Sequence, residues 1–262
     1  MMKDDSLAVS IIMNCHNGET FLKESIDSII NQSFKNWELI FFDNVSDDNS
    51  LEIVETFNDK RIKVFKSEKF INLYHARNEA IQKAKGKYIC FLDTDDYWER
   101  NKIEEQVNFL ENNRNFEMVY SNFYTVKKDN TKYIQNNYNL PEGKIVKDLL
   151  KKYSIGILTA CVKKKIFENI LFDEKTNIIG DFDFFVKFSC DYNIGCIQKP
   201  LAFYRDHENN LSKKRLEIYI NELNYWIKNN NKRYKKLGIS LIYIKILLLK
   251  LRLKNFLSKL GV

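Results

Sequence analysis

Two prolines and eight glycines in 262 residues are too few for a disordered or collagen-like chain, and no low-complexity tract or repeat of 20 to 50 residues points to a solenoid. The phosphate fingerprints G-x-G-x-x-G and G-x-x-x-x-G-K-[ST] are both missing, which removes the main support for a Rossmann dehydrogenase and for a P-loop NTPase. No apolar run approaches the roughly 18 to 20 residues that a membrane span needs. Cys15, Cys90, Cys161, Cys190 and Cys196 are odd in number and show no C-x-x-C spacing. Most sit in apolar stretches, which suits buried reduced thiols better than disulfides or zinc and predicts a cytoplasmic setting. Met1 to Ser6 carries two acidic residues directly ahead of a strand pattern, so no signal peptide is expected there.

What is present is an ordinary globular composition, 44% hydrophobic and 29% charged, enough for one large core. The net charge of +7 is misleading. Residues 231–262 hold nine Lys or Arg and no Asp or Glu, which leaves the first 230 residues at −2. The basicity belongs to the C-terminus, and a nucleic-acid partner is not expected.

In the first half, short apolar runs alternate with helical spacing. Leu7 to Cys15, Trp37 to Asp43, Ile62 to Ser67, Tyr88 to Asp93 and Met118 to Val126 read as strands. Between them, Phe21 to Ile30, Leu51 to Phe57, Tyr74 to Ala84 and Ile103 to Leu110 read as helices. Such alternation predicts an α/β fold with a mostly parallel sheet, whose ligands bind beyond the carboxyl ends of the strands. Later, Lys144 to Leu150, Lys164 to Ile170 and Gly180 to Cys190 look helical, Ile194 to Arg205 extended, and Glu217 onward helical with a break near Gly238.

Three of the predicted strands end in polar clusters: Asn14 to Gly18, Asp43 to Asn49, and Asp93-Thr94-Asp95-Asp96. All three are expected on one rim. Two carboxylates one residue apart, Asp93 and Asp95, offer hard oxygen ligands suited to magnesium or manganese, ions that readily share their shell with phosphate. By itself a D-x-D after a strand is a weak signal, more often a solvated turn than a metal site.

Five blocks in order give it context. Val9 to Ile12 leading into Asn17, Trp37 to Asn49, Ala76-Arg77-Asn78 with Ala84 to Asp96, Gly180-Asp181-Phe182-Asp183, and Tyr204-Arg205-Asp206-His207 with Ser212 together resemble the family 2 glycosyltransferases of the GT-A type. The resemblance spans about Val9 to Ser212. It implies a GT-A fold, a mostly parallel sheet flanked by helices, with a basic helical C-terminal tail. Residues 1–214 would form the catalytic domain, with a nucleotide-binding half (1–126) and an acceptor-side half (127–214), and 215–262 a C-terminal extension. The implied reaction is an inverting transfer of one sugar from a nucleotide-diphosphate donor, a UDP-sugar favoured, to a glycan or lipid-linked acceptor, with Mn2+ or Mg2+.

By the same resemblance Asp43 would accept the ring N–H of the base, with Asn14, His16 and Asn17 on the donor loop, although His16 and His75 are better explained as loop or helix-surface residues. Asp93 would hold the ribose and share the metal with Asp95 and His207. Arg77 would reach the diphosphate or the base, and Arg205 would neutralise phosphate. Asp96 is either a further ligand or a helix cap. Asp181 would be the general base, with Asp183 its nearest rival and helix capping the bland alternative. The sequence departs from the family pattern at Asn14 (usually Pro), Asn44-Val45 (usually Asp-Gly) and Gly180 (usually Glu). No Q-x-x-R-W element of processive synthases is present. Two other readings stay open at this level: a nucleotidyltransferase, weakened by the single glycine in Asn14 to Gly18, and a degenerate subunit that only binds the sugar nucleotide. The tail, apolar residues interleaved with Lys and Arg, suits either an anionic membrane surface or docking on the catalytic domain.

Overall fold

A computed structural model of the chain describes residues 7–208 and 215–259. Met1 to Ser6, Ser212 and the residues up to 214, where the catalytic domain is expected to end, lie outside the described residues.

Continuous apolar runs mark strands covered on both faces. In β1 (Val9–Cys15) and β2 (Trp37–Asp43) nearly every residue is buried, and the two pair in parallel from Val9 opposite Trp37 to Cys15 opposite Asp43. β3 (Ile62–Lys66) and β4 (Tyr88–Phe91) flank them, also parallel. The connecting helices are α1 (Glu19–Ile30), α2 (Ser50–Glu55) and α3 (Leu73–Lys83). β5 (Tyr97–Trp98), α4 (Lys102–Asn112), β6 (Met118–Val126) and β7 (Lys132–Ile134) follow, then α5 (Val146–Lys151), β8 (Cys161–Lys163), α6 (Gly180–Asp191) and β9 (Ile194–Arg205). Among the described residues the sheet order is β3-β2-β1-β4-β8-β6-β9-β5, with β7 hanging from β6. Only β5, β7 and β8 run antiparallel to their neighbours, so the sheet is mostly parallel.

Alternation along the strands divides the core into two layers. Ile12, Ile40 and Phe42 face α3, α5 and α6, whereas Ile11, Met13, Leu39 and Phe41 face α1 and α4. At the far end of the sheet from the polar clusters, buried Ser10 donates to Glu38 at 2.6 Å, and the Lys85 and Gly86 amides close on the same pair. Gly86 has no substitute there, because a Cβ would lie 2.5 Å from the Ser10 nitrogen.

Lys164 to Ile170, expected as helix, contains only a short 3-10 turn over Lys164–Glu168. At the C-terminus α7 (Leu216–Lys236) and α8 (Ile242–Lys259) are separated by Gly238 at φ +68°. Both helices dock on the body: Leu223, Trp226, Tyr234, Ile244 and Leu248 join the α3–α5–α6 layer. Glu222 of α7 also accepts the amides of Asn177, Ile178 and Ile179, which fixes the entry to α6. Among the described residues no helix is long and apolar enough to cross a membrane.

Candidate active site

The carboxyl ends of β1, β2 and β4 bring the three polar clusters to one rim. The first two are zipped together: the Asn17 amide donates to Ser46 Oγ at 3.1 Å, Asn17 Oδ1 accepts the Asp47 amide at 2.9 Å, and the Gly18 amide donates to Ser50 Oγ. His16 Nδ1 lies 3.0 Å from the Asn44 carbonyl, and its ring meets Phe70 edge-on at 4.7 Å. Asn17 (φ 56°) and Val45 (φ 61°) both adopt the left-handed backbone. For β-branched Val45, standing where the family pattern has Gly, this is an outlier that the surrounding hydrogen bonds must hold. Beneath this loop pair, Asp43 Oδ1 and both polar atoms of the Asn14 side chain are buried without a partner, while Asp43 Oδ2 accepts the Ser46 amide at 3.3 Å. Unsatisfied buried groups cost about 1–3 kcal/mol each, and three of them fall together at the ends of β1 and β2 on this rim.

At the end of β4, Asp93 Oδ1 takes an ion pair at 2.6 Å from Arg77, which is 2% exposed among Tyr74, Phe91 and Phe172. The guanidinium therefore lies under the site and fixes Asp93 from behind. Asp95 Oδ2 and His207 Nε2 are 2.9 Å apart. Burial and then the Asp93 charge push the Asp95 carboxyl above the usual range, with His207 pulling the other way. Asp96 is buried and accepts the Arg205 amide at 2.9 Å. It ties β4 to β9 and caps no helix, because α4 begins only at Lys102. Arg205 lies between the rings of Phe21 and Tyr97, donates to the Asp95 carbonyl at 2.6 Å and pairs with Glu24. Its head group thus braces the acidic turn. His75 sits on the surface of α3 near Glu79 and Glu174.

Asp181 is the second residue of α6 and is not its cap, a position held by Ile179. Its Oδ1 accepts the Phe182 amide at 2.9 Å and lies 3.3 Å from the Tyr74 hydroxyl, and Oδ2 lies 3.5 Å from the Tyr153 hydroxyl. Burial raises its pKa, opposed by Arg77, the Phe182 amide and Tyr74. Both tyrosines are held protonated, first by burial and then by the Asp181 charge, and so can only donate to it. The approach that Gly180 allows is to protein and not to ligand: a Cβ there would meet the Tyr74 ring at 2.5 Å. Asp183 points the other way, 1% exposed, paired with Lys187 and accepting Trp226 Nε1 of α7 at 2.7 Å.

A cavity of about 380 Å³ is lined by both Asp93 and Asp181, together with Tyr153, Tyr204 and Asn136. Asn14, His16, Asn17 and Asp43 lie on the neighbouring rim and do not line it. Tyr153 escaped the sequence reading because nothing in its spacing marks it. Tyr74, one helical turn before Arg77, could have been found from that offset.

Among the described residues no three His, Cys, Asp or Glu side chains converge to form a closed metal cage. Asp95 and His207 supply one hard oxygen and one imidazole in contact, and a cation held this way must complete its shell with water and ligand oxygens. That donor set fits magnesium or manganese shared with a diphosphate and does not fit a structural zinc site.

The family model for glycosyl transferase family 2 matches residues 10–171. An uncharacterized glycosyltransferase of Methanocaldococcus jannaschii is 33% identical over 241 residues, covering 85% of this chain and 80% of the relative. The UDP-Glc:alpha-D-GlcNAc-diphosphoundecaprenol beta-1,3-glucosyltransferase WfgD of Escherichia coli is 35% identical over 168 residues, 64% of this chain and just under two thirds (65%) of that protein. In three dimensions the mannosyltransferase PcManGT of Pyrobaculum calidifontis, solved with GDP-Man and Mn2+, superposes with a TM-score of 0.63 at 16% identity, over 84% of this chain and 63% of that one. The fold is thus the GT-A fold that the five-block resemblance implied, and with a family match over more than half its length the chain belongs to glycosyl transferase family 2.

Proposed function

We propose that the chain transfers one hexose, with inversion, from a UDP-sugar to a hydroxyl of a lipid-diphosphate-linked saccharide in surface-glycan assembly. The observation that carries this reading is that one cavity is lined by both the Arg77-fixed Asp93 and Asp181. A donor seated on the rim would meet Asp43 and Asn14 with its base, filling their empty hydrogen-bonding positions. Asp93 would hold the ribose, and Asp95 with His207 would hold Mn2+ or Mg2+. When bound, that ion supplies charge that stabilises the departing diphosphate.

Asp181 is placed to take the proton of the acceptor hydroxyl as its oxygen attacks the anomeric carbon. Tyr74 and Tyr153 fix the carboxylate from either side, and the Phe182 amide and Arg77 favour its charged form against burial. Base catalysis of this kind contributes roughly 10²- to 10⁴-fold. The acceptor class is supported by the name of the Escherichia coli relative.

The outer face of α8 supports work at a membrane. Ile242, Ile246, Leu249, Leu253 and Phe256, each 43–60% exposed, form one stripe. By helical spacing Lys245, Arg252 and Lys259 border it on one side and Lys250 and Lys254 on the other. An apolar stripe between two basic borders is the form of a helix lying on an anionic surface. Five free thiols fit the cytoplasmic side, where such a surface and the nucleotide sugar meet.

The test is release of UDP from a panel of UDP-sugars with Mn2+, with and without chelator. Turnover that requires the ion is expected. Chelator-resistant turnover would refute the metal assignment, and silence across UDP-, GDP- and dTDP-sugars would refute the transferase reading.

A further inference from the structure

Asp181 borders two cavities. The second, of about 550 Å³, lies between α5, the start of α6 and the two C-terminal helices, and shares only Tyr153 and Asp181 with the first. Its size falls within the roughly 300–1,000 Å³ of small-molecule sites. Ile179, Leu223, Ile244 and Leu247 make its floor apolar, with Tyr219 and Tyr243 on the walls. Lys151, Lys152 and Lys250 stand around it. Among the described residues none of these three ammonium groups has a carboxylate partner; Lys151 faces the Tyr243 ring at 6.0 Å and Lys152 the Tyr138 ring at 3.9 Å.

The composition is unusual for a surface cleft. Lys151, Lys152 and Lys250 are exposed, so water solvates their charges as they stand; beside an apolar chamber they suit a ligand that is anionic at one end and hydrocarbon at the other. The position narrows the ligand further. By helical spacing, Tyr243, Ile246 and Lys250 lie on the side of α8 next to its exposed apolar stripe, so a chain leaving the chamber passes straight onto that stripe. At the other end the chamber reaches Asp181. A sugar attached to the anionic group would then present its hydroxyl to that carboxylate from the side opposite the donor.

The geometry points to the second cavity as the binding site for the polyprenyl diphosphate of a lipid-linked acceptor, with Lys151, Lys152 and Lys250 holding the diphosphate and the C-terminal helices holding the first isoprene units. The assignment rests on the transferase reading for its acceptor, and it gives the C-terminal helices a part in substrate binding that a GT-A catalytic domain alone would lack.

Farnesyl diphosphate is a soluble probe of this chemistry. Calorimetric titration of the full chain with farnesyl diphosphate, farnesol and inorganic pyrophosphate separates the amphiphile from its two halves. Farnesyl diphosphate is expected to bind at least tenfold more tightly than either half, with UDP present or absent. In the full-length Lys151→Glu/Lys250→Glu variant that affinity should fall at least tenfold, while UDP affinity and melting temperature stay the same and report an intact fold. No binding, binding abolished by UDP, or binding unaffected by the two charge reversals would each overturn the site. If farnesyl diphosphate binds as described but no nucleotide sugar is turned over, the cavity assignment stands and the transferase reading falls. Turnover without farnesyl diphosphate binding has the opposite meaning.

Discussion

Replacing Asp181 by Asn separates chemistry from architecture. The amide has the shape of the carboxylate: its oxygen can keep the 2.9 Å bond from the Phe182 amide and the contact with the Tyr74 hydroxyl. Only the 3.5 Å contact to Tyr153 changes character, because two donors then face each other unless that hydroxyl turns. Little binding geometry is lost, but an amide cannot take a proton. Loss of a general base reduces rate by roughly 10²- to 10⁴-fold, or about 3–5 kcal/mol at 1.36 kcal/mol per tenfold. The stability change has the opposite sign. Burial raises the Asp181 pKa in the folded protein, so the fold favours the protonated form, and ionisation costs stability as pH rises through that value. At pH 7 the Asn variant should melt at or above the wild-type temperature, and the advantage should vanish once the pH falls below the ordinary carboxylate pKa. The same shift puts the acid limb of wild-type transfer above the pH at which a free carboxylate, near pKa 4, would lose its charge. Initial rates of UDP release with saturating acceptor, together with calorimetric melting across pH, measure all three. An Asn variant that keeps a tenth or more of the wild-type kcat would refute the assignment of the base.

Asp183→Ala should behave inversely: it leaves the Trp226 indole N–H and Lys187 without their partner and costs about 2 kcal/mol or more, seen in chemical denaturation, while kcat at a temperature where the variant is folded falls less than for Asp181→Asn. Gly180→Ala drives a methyl group against the Tyr74 ring, and since that ring positions Asp181, kcat should fall at least tenfold with UDP affinity unchanged; an unaltered kcat would show that the ring yields freely. The full-length Leu253→Glu/Phe256→Glu variant should lose flotation with anionic liposomes while keeping its melting temperature, because both side chains are exposed; equal flotation of variant and wild type would remove the membrane role of α8.

The parallel half of the fold was legible because β1, β2 and β4 are buried on both faces and therefore read as unbroken apolar runs. Their polar endings placed Asp43, Asp93 and Asp95 on one rim. β5, β7 and β8, with two or three residues each, are too short for any period to register. Arg77 and Arg205 were legible as residues near the site but not in their geometry, since only packing reveals that each guanidinium meets protein atoms and holds an acidic side chain or turn in place. The C-terminal helix left two readings open for a physical reason. α8 has two apolar faces, one docked through Ile244 and Leu248 and one exposed, and the basic borders between them blur any single-face pattern. Tyr153 and the second cavity come from α5 meeting α7 and α8, contacts between segments about 70 to 100 residues apart that no local pattern encodes.

A single displacement with Asp181 as base dictates the anomeric configuration of the product. With an α-linked UDP-sugar and a saccharide acceptor, proton NMR of the purified product should show a β linkage, and the Asp181→Asn variant should accumulate it roughly 10²- to 10⁴-fold more slowly. An α-linked product would require a retaining mechanism and would contradict the account.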